Sequence, residues 1–383
     1  RRVFGRFRAE RRQKGLLWAC EVSLAEPRHR RELKLAARAN PLPQRVEARL
    51  ADVQSVIDGQ GVVSAIRPDP RTDFSIAIPF DAVFDSTIKH VAVIAHLYYE
   101  EYAEDVFARL KSLPVRYSLF ISVRNEASKC VVEKAIADSE LKPEEAEIRI
   151  FPNKGRDIAP KLVGFADVYE RYEYVLHIHS KRSPHNSVLQ GWRNYLFDHL
   201  LGSPDIVRSN LALLSRPNVG MVFPMHYKPV RVSLNWGYDF PGAPELLQRA
   251  GITLSRDSTL EFPSGSMFWA RSSAMRKLLA LDLSFDDFGL EQGMVDGTLA
   301  HAIERSYLTF VEAAGFKWVK VLRRASAEPG DQVLDIRGTE DIDLSIKRAF
   351  HSIHAPSVRQ PRLIERRFGE VRPLRSYFSD VAR

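Results

Sequence analysis

Cysteine is scarce: Cys20 and Cys130 are the only two in 383 residues. They lie far apart, with no CxxC and no Cys/His zinc spacing, which excludes a disulfide framework or a zinc ribbon and points to a reducing compartment. Long hydrophobic runs are missing too. No apolar stretch approaches the ~20 residues that span a bilayer, and the first residues carry no apolar signal core, so a cytoplasmic location is expected. Basic charge is absent as a general feature. Residues 1–40 hold twelve Lys/Arg against four Asp/Glu, an excess that equals the whole formal net charge of +8 and leaves the rest balanced. Nucleic-acid enzymes line their working groove with positive charge, so nucleic acid is not an expected partner. A basic arm of this kind suits peripheral contact with an anionic membrane at the inner face, or a solvated helical connector.

Apolar content is ample for a core, and the pattern of that content changes along the chain. Residues 1–75 are rich in Arg and Ala, with helices expected over 21–39 and 46–57 around Pro41 and Pro43. Neither helix has a wide apolar stripe, so this part reads as a basic helical accessory region. Residues 85–325 are regular. Strands over 91–96, 117–123, 147–151 and 174–179 alternate with helices over 99–113, 127–138 and 158–172, and strand starts recur every 26 to 30 residues. That is the size of a βαβ unit, and it predicts an α/β fold with a doubly wound, mostly parallel sheet flanked by helices. Further helices are expected over 186–201, 204–214, 272–281 and 291–313, and strands over 219–223, 262–270 and 318–322. Residues 224–263 are rich in Pro, Gly and aromatic side chains and are expected to cover a binding site. Residues 326–383 have little periodicity and form a C-terminal extension.

Two polar clusters bracket one crossover, over 151–181. Asn153, Lys154, Gly155, Arg156 and Asp157 supply an amide, two cations, a carboxylate and a glycine just before a helix, a set that could receive phosphate oxygens; a capping Asp157 with a locally paired Arg156 is the structural alternative. His177, His179 and Lys181 alternate along a strand and can project to one side. Two imidazoles and an ammonium could neutralise a diphosphate directly or, with a third ligand, hold a metal; a pair of satisfied histidines is the alternative. In a parallel sheet both clusters fall at the carboxyl edge, where open α/β sheets bind ligands, and the edge reads as a nucleotide-sugar site. Trp192 and Arg193 could meet a sugar or base. Ser264, Gly265 and Ser266 precede an apolar strand and could floor a sugar ring. Glu291 and Asp296 stand near a helix start, where one could take the proton of an acceptor hydroxyl. His301, Glu304 and Arg305 follow on that helix as supporting residues.

The stretches VAVIAHLYYEEYAEDVFARL, FPNKGRDIAPKL, YVLHIHSKRS, GWRNYLFDHLLGSP, FPSGSMFWAR and EQGMVDGTLAHAIER resemble the rhamnan synthesis protein F family of polysaccharide-building glycosyltransferases and together span about 90–325. The resemblance implies a GT-A-like Rossmann-type sheet, a nucleotide-activated rhamnose donor (dTDP- or GDP-rhamnose) and a glycan or lipid-linked acceptor of a bacterial surface polysaccharide. By position, Asn153, Arg156 and Asp157 would serve the nucleotide, His177, His179 and Lys181 the diphosphate, Ser264 to Met267 the sugar or acceptor, and Glu291 the base, with Asp296 its rival. The Asp-x-Asp metal motif usual for GT-A enzymes is replaced by His177-Ile178-His179, so a divalent cation is not expected as a cofactor. A nucleotidyl- or phosphotransferase using His177 and His179, and a non-catalytic glycan-assembly subunit, are the competing readings.

Overall fold

The computed structural model describes residues 65–81, 88–180, 189, 191–237, 242–255, 258–289 and 297–354. The basic arm with its two expected helices lies outside these residues, as do Lys181, Glu291 and Asp296.

Nine strands form one sheet: β1 (Phe74–Ile78), β2 (His90–His96), β3 (Arg116–Val123), β4 (Ala146–Ile150), β5 (Tyr174–His179), β6 (Val219–Pro224), β7 (Phe268–Arg271), β8 (Lys317–Arg323) and β9 (Gln332–Leu334), in the order β4-β3-β2-β5-β7-β6-β8-β1-β9. Every pairing is parallel except those of β7 with β5 and β6. The expected α/β fold with a mostly parallel sheet flanked by helices is borne out. Strands such as HVAVIAH are apolar without alternation because both faces are covered, and their central residues are all buried.

One face is covered by the crossover between β4 and β5 together with α6 (Gly242–Arg249), α7 (Ser272–Leu279) and α8 (Leu299–Ala313). The other is covered by α1 (Ala103–Leu110), α2 (Glu126–Asp138), α4 (Trp192–Leu201) and α5 (Pro204–Leu214). The chain winds outward from β2 through β3 to β4 and then returns to place β5 on the other side of β2. The strand order therefore reverses between β2 and β5, and a ligand crevice belongs at their carboxyl ends. His96 and His179 are register partners there.

Several elements depart from expectation. The helix expected over 158–172 is interrupted by a π-helical turn, Pro160–Gly164, before α3 (Ala166–Arg171); Pro160 removes a backbone donor at the start of that turn. The strand expected over 262–270 shrinks to Phe268–Arg271, because Gly265 and Ser266 both take positive φ (+87° and +54°) and turn the chain before it pairs. The sheet also reaches beyond 85–325. FSIAI of β1 pairs with β8 and β9, and α9 (Asp341–His354) packs across β1 and β8.

Candidate active site

At the switch point, the turn after β4 carries the first predicted cluster. Gly155 has φ +68°, and a Cβ there would fall 2.4 Å from Ala159 Cβ and 2.6 Å from Phe288, so only glycine fits. Arg156 follows at φ +54° and is exposed, as is Asn153; Lys154 donates to Asp286 at 2.7 Å. Asp157 turns inward. Its Oδ2 accepts a 2.8 Å hydrogen bond from Lys161, one turn on, and the two side chains are only 15% and 4% exposed. Burial acts to raise the Asp157 pKa, but Lys161, His179 and His96 outweigh it and hold the carboxyl well below the usual carboxylate range.

Lys161 is the residue that joins the predicted clusters. The π-helical turn directs its ammonium beneath the sheet edge, 5.3 Å from the Phe268 ring and 5.4 Å from the Tyr307 ring, where it also donates to the Ser266 carbonyl at 3.1 Å. Ser266 belongs to the turn expected to floor a sugar. All three residues of that turn are anchored: Ser264 Oγ to His226 Nδ1 at 2.8 Å, Gly265 N–H to Glu304 Oε1 at 3.0 Å, and the Gly265 carbonyl to His179 Nε2–H at 2.8 Å. A Cβ on Gly265 would lie 2.8 Å from Leu196 and 3.2 Å from the Trp192 ring. Trp192 thus lies against the turn. Asp157, His179, Trp192 and residues 264–266, predicted separately, come together.

His177 does not join them as expected. It shares the face of His179, but it is 1% exposed, shares a 2.5 Å hydrogen bond with the Tyr169 hydroxyl and packs 4.5 Å from the Phe268 ring. Burial first, and Lys161 second, push its pKa well below the usual value, so the ring is neutral. The geometry corrects its role from diphosphate contact to core histidine. His179 donates its Nε2–H to the Gly265 carbonyl, which links β5 to the sugar-side turn. Arg193 is held by Asp105 at 3.2 Å and stacks 3.9 Å over Tyr102, beside the segment that follows β2.

Residues that the sequence reading passed over support the turn from below. His226 Nε2–H donates to Glu261, which also accepts from Lys320 at 2.8 Å and from Arg67 at 3.4 Å; Lys320 bonds Asp73 as well. Burial disfavours the Glu261 charge, yet Arg67, Lys320 and His226 together hold its carboxyl well below the usual range. Burial outweighs Glu261 in lowering the pKa of His226, so the ring is neutral and accepts at Nδ1 from the Ser264 hydroxyl. The signals were legible: Lys320 interrupts the apolar strand KWVKVLR, and a charge buried on a central strand requires a partner. Lys161 stands four residues after Asp157, the spacing of a helical ion pair. Two buried hydroxyls, Ser266 Oγ and Tyr307 Oη, have no hydrogen-bond partner among the described residues. Among the described residues no group of three or more His, Cys, Asp or Glu could hold a metal ion, and no helix is long and apolar enough to cross a membrane.

The family model described as rhamnan synthesis protein F matches residues 70–316, which takes in both turns, Lys161 and β1 to β7. The chain belongs to the rhamnan synthesis protein F family. Two relatives, the uncharacterized protein WxcX of Xanthomonas campestris pv. campestris from strains B100 and ATCC 33913, are each 37% identical over 182 residues, 47% of this chain. The matched stretch spans 25%, about a quarter, of those relatives' length. Among solved structures, a cytidylyltransferase from Leptospira borgpetersenii is similar over 71% of this chain and 99% of its own, with 10% identity and a TM-score of 0.33. Glucosyl-3-phosphoglycerate synthase from Mycobacterium tuberculosis, in complex with Mn2+, UDP and glucosyl-3-phosphoglycerate, is similar over 71% and 83%, with 12% identity and a TM-score of 0.31. Scores this low carry no inference about what the family member described here binds.

Proposed function

We propose that this member of the family is a glycosyltransferase that moves rhamnose from a nucleotide-sugar donor, dTDP- or GDP-rhamnose, to a glycan or lipid-linked glycan acceptor of a bacterial surface polysaccharide. The observation that carries this reading is the pair of turns at the switch point, 153–157 and 264–266, tied to each other through Lys161 and close to the carboxyl ends of β2 and β5. A nucleotide diphosphate end and a sugar end need two such platforms at a fixed separation, and preorganised charge at the leaving group is the main lever of this chemistry.

In this reading Lys154 and Arg156 meet the diphosphate, the 264–266 turn with Trp192 receives the sugar, and the acceptor oxygen attacks C1 with inversion. A divalent cation is not required. Asp157, the carboxylate nearest the clusters, is already bonded to Lys161, and the charges at the turn are cations suited to phosphate. The phosphotransferase alternative gains no support, since His177 is sealed behind Tyr169.

Incubation of the intact chain with candidate nucleotide sugars and a lipid-linked or glycan acceptor tests the reading. It expects release of a nucleoside diphosphate with incorporation of the sugar. Release of pyrophosphate, or a phosphorylated product, would overturn it in favour of nucleotidyl or phosphoryl transfer.

A further inference from the structure

The sequence offered Glu291 and Asp296 as the base that deprotonates the acceptor, and both lie outside the described residues. Four carboxylates are associated with the two turns among the described residues. Two are buried and paired, Asp157 with Lys161 and Glu261 with His226 and Lys320; a third, Asp286, is exposed and pairs with Lys154 at the other turn. The fourth is Glu304.

Glu304 sits in the second turn of α8, partly exposed. Its Oε1 accepts the Gly265 N–H at 3.0 Å, and among the described residues neither oxygen is paired with a cation and the second takes no hydrogen bond. Its neighbour Arg305 turns away to donate to the Asn235 carbonyl at 2.9 Å. The residue that fixes Glu304 through its N–H, Gly265, fixes His179 through its carbonyl, so the carboxylate is registered to the sugar-side turn by one residue of backbone. A carboxylate held rigidly at one oxygen, with the other uncommitted, is the arrangement a general base requires.

We infer that Glu304 is the general base of the transfer reaction, an inference that rests on the glycosyltransferase reading above. The acceptor hydroxyl gives its proton to the second oxygen of Glu304 as its oxygen forms a bond to C1 of the donor sugar. The bond from C1 to the phosphate oxygen breaks, and the nucleoside diphosphate leaves with the electron pair. The Gly265 N–H keeps the carboxylate in place through the step.

The test compares Glu304→Gln, which keeps an oxygen to accept the Gly265 N–H, with Glu304→Leu, which does not, and with Glu291→Gln. Donor binding is read by titration calorimetry and transfer by nucleoside diphosphate release across pH. Glu304→Gln is expected to bind donor within about twofold of the parent while kcat falls by at least about a hundredfold, within the usual range for loss of a general base, and the acid limb of its pH–rate profile disappears. Glu304→Leu is expected to lose transfer and also to weaken donor binding, because the turn is released. Transfer retained in Glu304→Gln but lost in Glu304→Leu would overturn the inference and leave Glu304 a positioning residue. Transfer retained in Glu304→Gln but lost in Glu291→Gln would overturn it in favour of Glu291. If the parent chain binds no nucleotide sugar and releases no nucleoside diphosphate, the glycosyltransferase reading itself fails and the inference falls with it.

Discussion

The Lys161 ammonium donates to Asp157 Oδ2 at 2.8 Å with both side chains almost out of water, 4% and 15% exposed. Neither charge is affordable alone at such a site. Because Lys161 also holds the Ser266 carbonyl, the pair couples the two platforms of the proposed donor site.

Lys161→Met is expected to lower stability by roughly 3–5 kcal/mol, the usual cost of stranding one partner of a buried ion pair. Asp157→Asn combined with Lys161→Met should recover part of that loss, giving a clear interaction energy in a double-mutant cycle read by chemical denaturation. A loss under about 1 kcal/mol in the single variant would mean that the pair behaves as a surface contact.

His199 predicts an acid sensitivity. The residue is 0% exposed, its Nδ1 bonds the Tyr195 carbonyl at 2.7 Å, and burial pushes its pKa down to about 4 against that hydrogen bond. With the folded value below the unfolded one, the unfolded chain binds the extra proton. The contribution of the neutral ring is therefore complete above about pH 6.5 and is lost as pH falls toward 4, a span worth on the order of 2–3 kcal/mol. His96, whose pKa burial also pushes down to about 4, acts in the same direction. Denaturation midpoints measured from pH 7 to pH 4 should fall more steeply in the parent than in His199→Gln. Equal slopes would contradict the assignment.

His177 separates core from contact. His177→Phe is expected to cost on the order of 1–3 kcal/mol of stability, from the lost bond to Tyr169 and the stranded hydroxyl, while donor affinity stays within about twofold. A loss of donor affinity tenfold or larger, with the fold intact, would restore the histidine to the phosphate site.

Much of the fold was legible because strands buried on both faces read as unbroken apolar runs. VAVIA and YVLHIH give β2 and β5 within one residue of their observed ends. β1 escaped because five residues between Asp73 and Pro79 are too few to stand out from a Pro-rich join, and its partners β8 and β9 lie about 240 residues on or more. α9 escaped for another reason: Ile342, Ile346, Ala349 and Ile353 form a helical stripe, all buried, diluted by the charged residues between them. In the site, residue types were legible and partnerships were not. Period-two alternation correctly put His177 and His179 on one face, but alternation carries no information on depth along the strand, and Tyr169 and Phe268 decide that. Nothing local announced that the Gly265 backbone would tie His179 to Glu304, because the three residues come from a strand, a turn and a helix far apart in sequence.

The central claim, a nucleotide-sugar site at the two tied turns, is tested most directly by titration calorimetry. The intact chain and its Arg156→Ala variant would be titrated with a panel of nucleotide sugars, each with magnesium or manganese and again with chelator. The account predicts selective binding of one rhamnose donor, survival of that binding under chelation, and a loss of affinity of about tenfold or more in Arg156→Ala, as removal of a charge-assisted phosphate contact gives. Binding that appears only with metal would contradict the direct-contact account of the diphosphate. Absence of binding to every donor, or binding indifferent to Arg156, would contradict the site itself.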